Sequence, residues 1–211
     1  MKLIRIHYLD ASAIVKLFIA EEGSDRLQRY FGEESNFHAT SFCFAEALGA
    51  LKVKRFYRKE ISDEQYFCAC EELLAYGADN TIEIQDVEIK DPMVFVEVEN
   101  LVRKYQETID VSDAFQIVSV KRNYFSRFEC DSKPILITGD KALAIAARQE
   151  GIRVWDCVNE PEPTEILQGI TSDLRRSSHP LASLASLDFS ALGLGDMPLR
   201  RPVTNKISVI A

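Results

Sequence analysis

The sequence feature that most constrains the fold is a strand–helix–strand unit in the second half of the chain. Residues 134–138 form an almost uninterrupted apolar run, and helical spacing follows over residues 140–150. Gly151 stands where such a helix would end, and residues 152–155 are again typical of a strand. The unit predicts two short buried strands with a helix between them.

The same alternation of extended and helical segments recurs through the first 123 residues. The predicted strands there are residues 3–9, 37–40 and 81–85. The predicted helices are residues 11–18, 41–57, 62–75, 92–105 and 111–123, and Gly77 is predicted to break the helical pattern. This alternation predicts an α/β fold of three layers, in which helices cover both faces of a central parallel sheet of four to five strands. The functional crevice of such a sheet lies beyond the carboxyl ends of its strands, and Asp10 and Asp140 stand at two of these ends.

The chain changes character near residue 160. Prolines and serines become frequent, and leucine recurs every three residues at Leu181, Leu184 and Leu187. We therefore predict one α/β domain over residues 1–158. Residues 159–211 would form a C-terminal extension that is linker-like or docks on the core or on a partner.

Charge and cysteine content exclude several classes of protein. The formal net charge of −8 argues against a protein that coats nucleic acid nonspecifically, whereas a metal-dependent nuclease needs only a local basic rim beside its carboxylates. The five cysteines include no pair of CxxC motifs, so neither a zinc site nor a disulfide framework is predicted. No run approaches the roughly 18 apolar residues of a membrane span, and we expect a cytoplasmic protein without membrane contact.

Several acidic residues at the predicted helix starts have an ordinary structural explanation when each is taken alone. Asp10 and Asp140 could cap the helices that follow them. Asp113 could be a first-turn charge that favours the dipole of a helix capped by Asp110 or Ser112.

Glu46 is harder to explain by local structure, because its predicted helix is largely apolar on both sides of it. The residue could pair with a lysine at the rim of the helix, or it could join the other acids around a cation. The four acids belong to four separate units of the predicted sheet and can converge. Because converging carboxylates repel one another, a hard, oxygen-preferring ion such as Mg²⁺ or Mn²⁺ would be needed to neutralise them.

Four motifs in this chain resemble those of a known family. They are residues 8–17 around Asp10, 40–51 around Glu46, 112–117 around Asp113, and 136–143 around Asp140 followed by 151–156. In their order and kind these units resemble PIN domains, and especially the VapC-type toxins of prokaryotic toxin–antitoxin pairs, throughout residues 3–156.

The resemblance implies a metal-dependent endoribonuclease that hydrolyses RNA phosphodiester bonds. The residues it assigns are a metal-binding quartet of Asp10, Glu46, Asp113 and Asp140, with Ser12 and Thr138 in support through hydrogen bonds. It also implies a Mg²⁺ or Mn²⁺ cofactor, a homodimer, and a small antitoxin protein that covers the active-site groove. Asp110 is an additional acid near the third motif, and the extension after Glu160 goes beyond the usual length of the family.

A cluster of basic residues follows the Glu46 helix. Its members are Lys52, Lys54, Arg55, Arg58 and Lys59, interleaved with Phe56 and Tyr57. This basic rim would hold RNA phosphates while the rings stack on unpaired bases. It could equally be the solvated end of a helix, where the dipole favours cations.

Two other functions and one regulatory role remain open from the sequence. A phosphotransferase of the haloacid-dehalogenase kind would need a second Asp where this chain has Ser12. A noncatalytic PIN-like module that binds RNA or protein would be favoured if an acid of the quartet were absent. Arginine pairs in the extension, at residues 175–176 and 200–201, could reach back to the acidic pocket and restrain it.

Overall fold

The structure is a computed structural model that describes residues 6–123 and 134–163. The start of the predicted first strand lies outside the described residues. So do the leucine repeat and the arginine pairs of the predicted extension. The boundary at residue 158 therefore stays a prediction.

Five short strands form one parallel sheet. They are β1 (His7–Leu9), β2 (Phe37–Ala39), β3 (Ile82–Ile84), β4 (Ile135–Thr138) and β5 (Arg153–Asp156). Their order is β3-β2-β1-β4-β5, and every neighbouring pair is parallel. The predicted parallel sheet of four to five strands is confirmed, with five strands in the described part of the chain.

Helices cover both faces of this sheet. One face carries α1 (Ala11–Phe18), α2 (Ser24–Glu33), α3 (Ser41–Lys52) and α4 (Asp63–Ala78); the other carries α5 (Pro92–Tyr105), α6 (Val111–Arg122) and α7 (Lys141–Gln149). Because successive side chains of a strand point to opposite faces, Leu9 and Ile137 pack in one core while Tyr8 and Leu136 pack in the other. The predicted three-layer α/β/α arrangement is confirmed.

The helices differ from the sequence prediction at three places. Helix α2 was not predicted; it buries Leu27 and Tyr30. Gly77 was expected to break a helix, but α4 continues through it to Ala78. The predicted helix over residues 41–57 is α-helical only to Lys52, and Val53–Tyr57 is a π-helical turn.

The packing at Gly77 explains why glycine stands inside a helix there. A Cβ atom at this position would lie 3.0 Å from Cε1 of Phe44, a buried residue of α3. The glycine therefore permits α4 to approach the Phe44 ring closely, and it does not act as a helix stop.

The direction in which strands are added to the sheet changes at β1. The chain first adds β2 and β3 on one side of β1 and later places β4 and β5 on the other. The crevice of such a sheet opens at this change of direction, between the carboxyl ends of β1 and β4. There the backbone N–H of Asp10 donates to the carbonyl oxygen of Ile137 over 3.0 Å.

Within the described ranges, no helix has both the length and the apolar character that crossing a membrane requires.

Candidate active site

Asp10 is the most deeply buried of the predicted site acids, with 5% of its surface exposed. Its Oδ2 accepts hydrogen bonds from the hydroxyls of Ser12, at 2.5 Å, and Thr138, at 2.7 Å. The same oxygen accepts from the backbone N–H of Ser12 at 3.2 Å and so caps α1. Three donors on one oxygen fix the carboxylate at the end of β1.

The same two hydroxyls connect the end of β1 to the end of β4. Ser12 Oγ accepts from the backbone N–H of Gly139 at 2.8 Å, and Thr138 Oγ1 accepts from that of Asp140 at 2.9 Å. Each hydroxyl thus donates to Asp10 and accepts from the loop that carries Asp140. This pair of bridges holds the first and fourth predicted acids next to each other.

Asp140 and Asp113 both perform the capping roles that each would have in an ordinary helix. Asp140 Oδ1 accepts from the backbone N–H groups of Ala142, at 2.6 Å, and Leu143, at 3.2 Å. At the start of α6, Asp113 Oδ2 accepts from the backbone of Asp110 while Asp110 Oδ1 accepts from the backbone of Asp113. This reciprocal capping box places Asp110 directly beside Asp113.

Glu46 joins the group through Ser112. The Ser112 hydroxyl is hydrogen-bonded to Glu46 Oε1 and lies 2.6 Å from Asp110 Oδ1. A hydroxyl has one proton, so it donates to only one of these carboxylates at a time. Ser112 therefore links α3 to α6 and brings Asp110, which is outside the predicted quartet, into the same network.

Asp113 lies in surroundings that disfavour its charged form. Burial raises its pKa to about 7, and the negative charges of Asp110, Asp10 and Asp140 add to the rise. The three neighbouring carboxylates therefore lie near enough to Asp113 to disfavour its charged form.

The pKa values of Asp10 and Glu46 are raised as well. For Asp10, burial outweighs the hydrogen bonds that favour its charged form. For Glu46, burial is again the largest cause; the Ser112 hydrogen bond opposes it, while the charges of Asp110 and Asp10 reinforce it. All four predicted acids therefore interact electrostatically, although they come from four different parts of the chain.

The structure does not gather these acids into a tight ligand set. Among the described residues, no group of three or more His, Cys, Asp or Glu side chains is placed so that it could hold a metal ion. The donor chemistry nevertheless suits a hard divalent cation, because repelling carboxylates in a partly buried crevice are neutralised by such an ion. Binding one would require acidic side chains to move closer together.

Sequence reasoning gave no particular role to two polar residues that touch this network. Ser112 was considered only as a helix cap, and its bond to Glu46 spans 66 residues of sequence, so no local pattern reveals it. Gln116 is buried and bonds to Leu9 and Cys43. The sequence does mark it, because it is a polar residue within the apolar run of α6.

The predicted basic rim is largely neutralised by neighbouring acids. The ion pairs are Lys54 with Glu21 and Glu60, Arg55 with Asp63, and Arg58 with Glu60. Lys52 and Lys59 are exposed, and neither forms an ion pair with any residue in the described part of the chain. These two lysines are the members of the rim whose charge is most available to a ligand.

The fold defined by this sheet and its two helical layers is of the PIN-like α/β type. The chain is similar to one in the structure of FitAB bound to the IR36 DNA fragment, with a TM-score of 0.50. The alignment covers 74% of this chain and 99% of that chain, at 10% sequence identity. No family model and no curated protein matches the sequence. The similarity therefore concerns the fold.

Replacing Asp113 by Asn should change how stability depends on pH. The raised pKa means that the folded state favours the protonated acid, so the stability gained from Asp113 is present below about pH 4 and lost as pH rises towards 7. Asp113→Asn removes this loss. Between pH 5 and pH 8, the free energy of unfolding of the variant should therefore rise by about 1 kcal/mol relative to that of the wild type. This value allows for the solvent that still reaches Asp113.

The measurement is urea unfolding at both pH values. Glu71→Gln, at an exposed position of α4, serves as the control and should show no such gain. Equal behaviour of Asp113→Asn and the control would contradict the electrostatic crowding described above.

Proposed function

We propose that the chain is a metal-dependent endoribonuclease and acts as the toxin of a toxin–antitoxin pair. The observation that carries this proposal is the hydrogen-bond network among the acids at the carboxyl edge of the sheet. Ser12 and Thr138 join Asp10 to the loop of Asp140, and Ser112 joins Glu46 to the capping box of Asp110 and Asp113. Besides burial, the charges of Asp10 and Asp140 raise the pKa of Asp113, and the charge of Asp10 raises the pKa of Glu46. The motif resemblance supports the same conclusion. The family resemblance supplies the substrate class, RNA.

A bound Mg²⁺ or Mn²⁺ ion would supply an activated water for attack on the phosphodiester and would stabilise charge on the leaving oxygen. Asp10, Asp113 and Asp140 would hold the ion, and Glu46 would complete the site. Ser12 and Thr138 orient Asp10 through their hydroxyls. Because the pKa of Asp113 is about 7 without a cation, metal binding would have to displace a proton from this group at neutral pH.

A noncatalytic PIN-like module that binds RNA or protein is the second candidate. Two observations favour it. The described residues include no group of three or more metal-ligating side chains placed to hold an ion. In addition, Asp113 and Asp140 already have structural roles as capping residues.

Asp10→Asn is the variant that separates these two functions. Asparagine also caps helices well, so the fold should be retained. We expect cleavage of RNA in Mg²⁺ or Mn²⁺ to fall by about 100-fold or more, since even residues outside the ligand set of metal sites cost 10- to 100-fold. Initial rates on a labelled single-stranded RNA provide the measurement.

Asp79→Asn, on an exposed turn before β3, is the matched control and should keep wild-type activity. Full activity of Asp10→Asn would refute the proposed site. A wild-type protein that binds RNA equally well in EDTA and never cleaves it would favour the noncatalytic module.

We propose that Lys52 and Lys59 contact RNA phosphates, because they are the exposed, unneutralised members of the basic rim. Lys52→Gln combined with Lys59→Gln should weaken RNA binding. It should also reduce the slope of log affinity against log salt by about 1.4, since each phosphate contact on single-stranded nucleic acid contributes about 0.7. Lys54→Gln combined with Arg55→Gln is the control, because both cations already pair with acids, and its salt slope should change less. Identical slopes for the wild type and the first variant would remove the rim from the RNA-binding surface.

We further propose that the chain forms a homodimer and binds an antitoxin. An exposed apolar patch beside Ser112 supports a protein partner. Phe42 stacks on Phe115 with ring centres 5.0 Å apart, Phe95 meets the same ring edge-on at 5.6 Å, and Val111 lies next to them. Phe42, Phe95 and Val111 are 37%, 50% and 55% exposed, so a partner would cover a substantial apolar surface.

Two measurements test these partners. In sedimentation at low micromolar concentration, the purified chain should have the mass of two copies, and a monomer would contradict the dimer.

The product of a short adjacent reading frame should copurify with the chain. Phe42→Lys combined with Val111→Lys should weaken that complex about tenfold or more. Phe67→Lys, at an exposed position of α4, should leave it intact; equal binding by both variants would exclude the patch.

A further inference from the structure

Gln116 is a buried polar residue in a helix segment that is otherwise nearly all apolar. Only 3% of its surface is exposed, and Ala114, Phe115, Ile117 and Val118 around it are buried apolar residues. A buried amide is costly unless its polar atoms find partners. The contacts of Gln116 therefore require an explanation.

The Gln116 amide donates to two groups on other elements. Nε2 lies 2.9 Å from Cys43 Sγ on α3 and 3.4 Å from the carbonyl oxygen of Leu9, the last residue of β1. Since a carbonyl oxygen only accepts, the donating end of the amide faces Leu9. Gln116 thus bridges α6, α3 and β1 with a single side-chain nitrogen.

The Leu9 carbonyl belongs to the peptide bond that precedes Asp10. The N–H of the same peptide bond donates to the Ile137 carbonyl over 3.0 Å. With Gln116 bound to the oxygen and Ile137 to the N–H, both polar groups of this peptide are held. The backbone from which the Asp10 side chain extends is therefore fixed from both sides.

Gln116 itself and its other partner, Cys43, are each related to a site acid by helical spacing. Asp113 precedes Gln116 by three residues on α6, and Cys43 precedes Glu46 by three residues on α3, so each pair shares one helix face. Cys43 is itself held by Thr40, whose hydroxyl donates to Sγ at 3.1 Å and accepts from the Cys43 backbone at 3.2 Å.

We propose that Gln116 is a positioning residue that sets the relative placement of Asp10, Glu46 and Asp113 for a divalent cation. The inference rests on the proposed function. Gln116 acts through the residues it bonds, since its amide joins the three elements that carry these acids. Such supporting contacts outside the ligand set tune the affinity of a metal site.

The test is equilibrium binding of Mn²⁺ alone, without RNA, by electron paramagnetic resonance at pH 8. Gln116→Met keeps the length and the helix propensity of the side chain and removes both hydrogen bonds. We expect its Mn²⁺ dissociation constant to rise about tenfold. In cleavage assays, excess Mn²⁺ should restore the rate of Gln116→Met, because its ligands are intact.

Ser119→Ala is the matched control. Ser119 is also buried on α6, but its hydroxyl donates to the Phe115 carbonyl of the same helix over 2.8 Å and reaches no other element. Ser119→Ala should leave the Mn²⁺ dissociation constant within about twofold of the wild-type value, since the Ser119 hydroxyl lies outside the network that supports the ligands. Urea unfolding of both variants separates a change in affinity from a loss of stability, and Gln116→Leu replaces Gln116→Met if the latter does not fold.

The outcomes are distinct. A tenfold loss of Mn²⁺ affinity in Gln116→Met, with little change of affinity in Ser119→Ala, supports the positioning role. Wild-type Mn²⁺ affinity in a folded Gln116 variant would overturn it while leaving the proposed nuclease intact. A wild-type protein that binds no Mn²⁺ would overturn the proposed function and this role with it.

Discussion

The burial of the Asp10 carboxylate at the carboxyl edge of the sheet is the constraint on which the rest of the site depends. Asp10 is almost fully buried, and burial disfavours its charge. The hydroxyls of Ser12 and Thr138 oppose that penalty, and the same hydroxyls bind the loop after β4. The hydrogen bonds that make the acid tolerable are therefore also the ones that join two neighbouring strand ends. Fold and site cannot be altered independently at this edge.

The sequence predicts those features of this arrangement that depend on local periodicity. An apolar run followed by a polar turn and a helix places Asp10 after β1 and Asp140 after β4, and parallel pairing then brings the two strand ends together. The stop at Gly151 is also local: its φ of 79° suits glycine just beyond a helix end. Such features need no knowledge of distant contacts, which is why the three-layer fold could be predicted from them.

The parts that escaped prediction depend on residues that are far apart in the chain. Gly77 has the composition of a helix stop, but its role is set by the Phe44 ring more than thirty residues earlier. Lys54 belongs to a basic cluster in the sequence, but it forms an ion pair with Glu21 from the segment after α1. In each case local rules describe what the residue type usually does, and a partner that is distant in the sequence gives the residue a different role.

Helix capping and a shared functional site are compatible explanations of these acids. Asp10, Asp110 and Asp140 are the N-caps of α1, α6 and α7, so three helix N-termini meet the crevice in which the acids lie. Each N-terminus carries partial positive charge, which offsets part of the repulsion between carboxylates before any cation binds. Capping through Asp140 uses only Oδ1, and a carboxylate has a second oxygen with its own lone pairs. The caps thus hold the acids in place at the mouth of the sheet, and they account for how so many like charges can be kept together there.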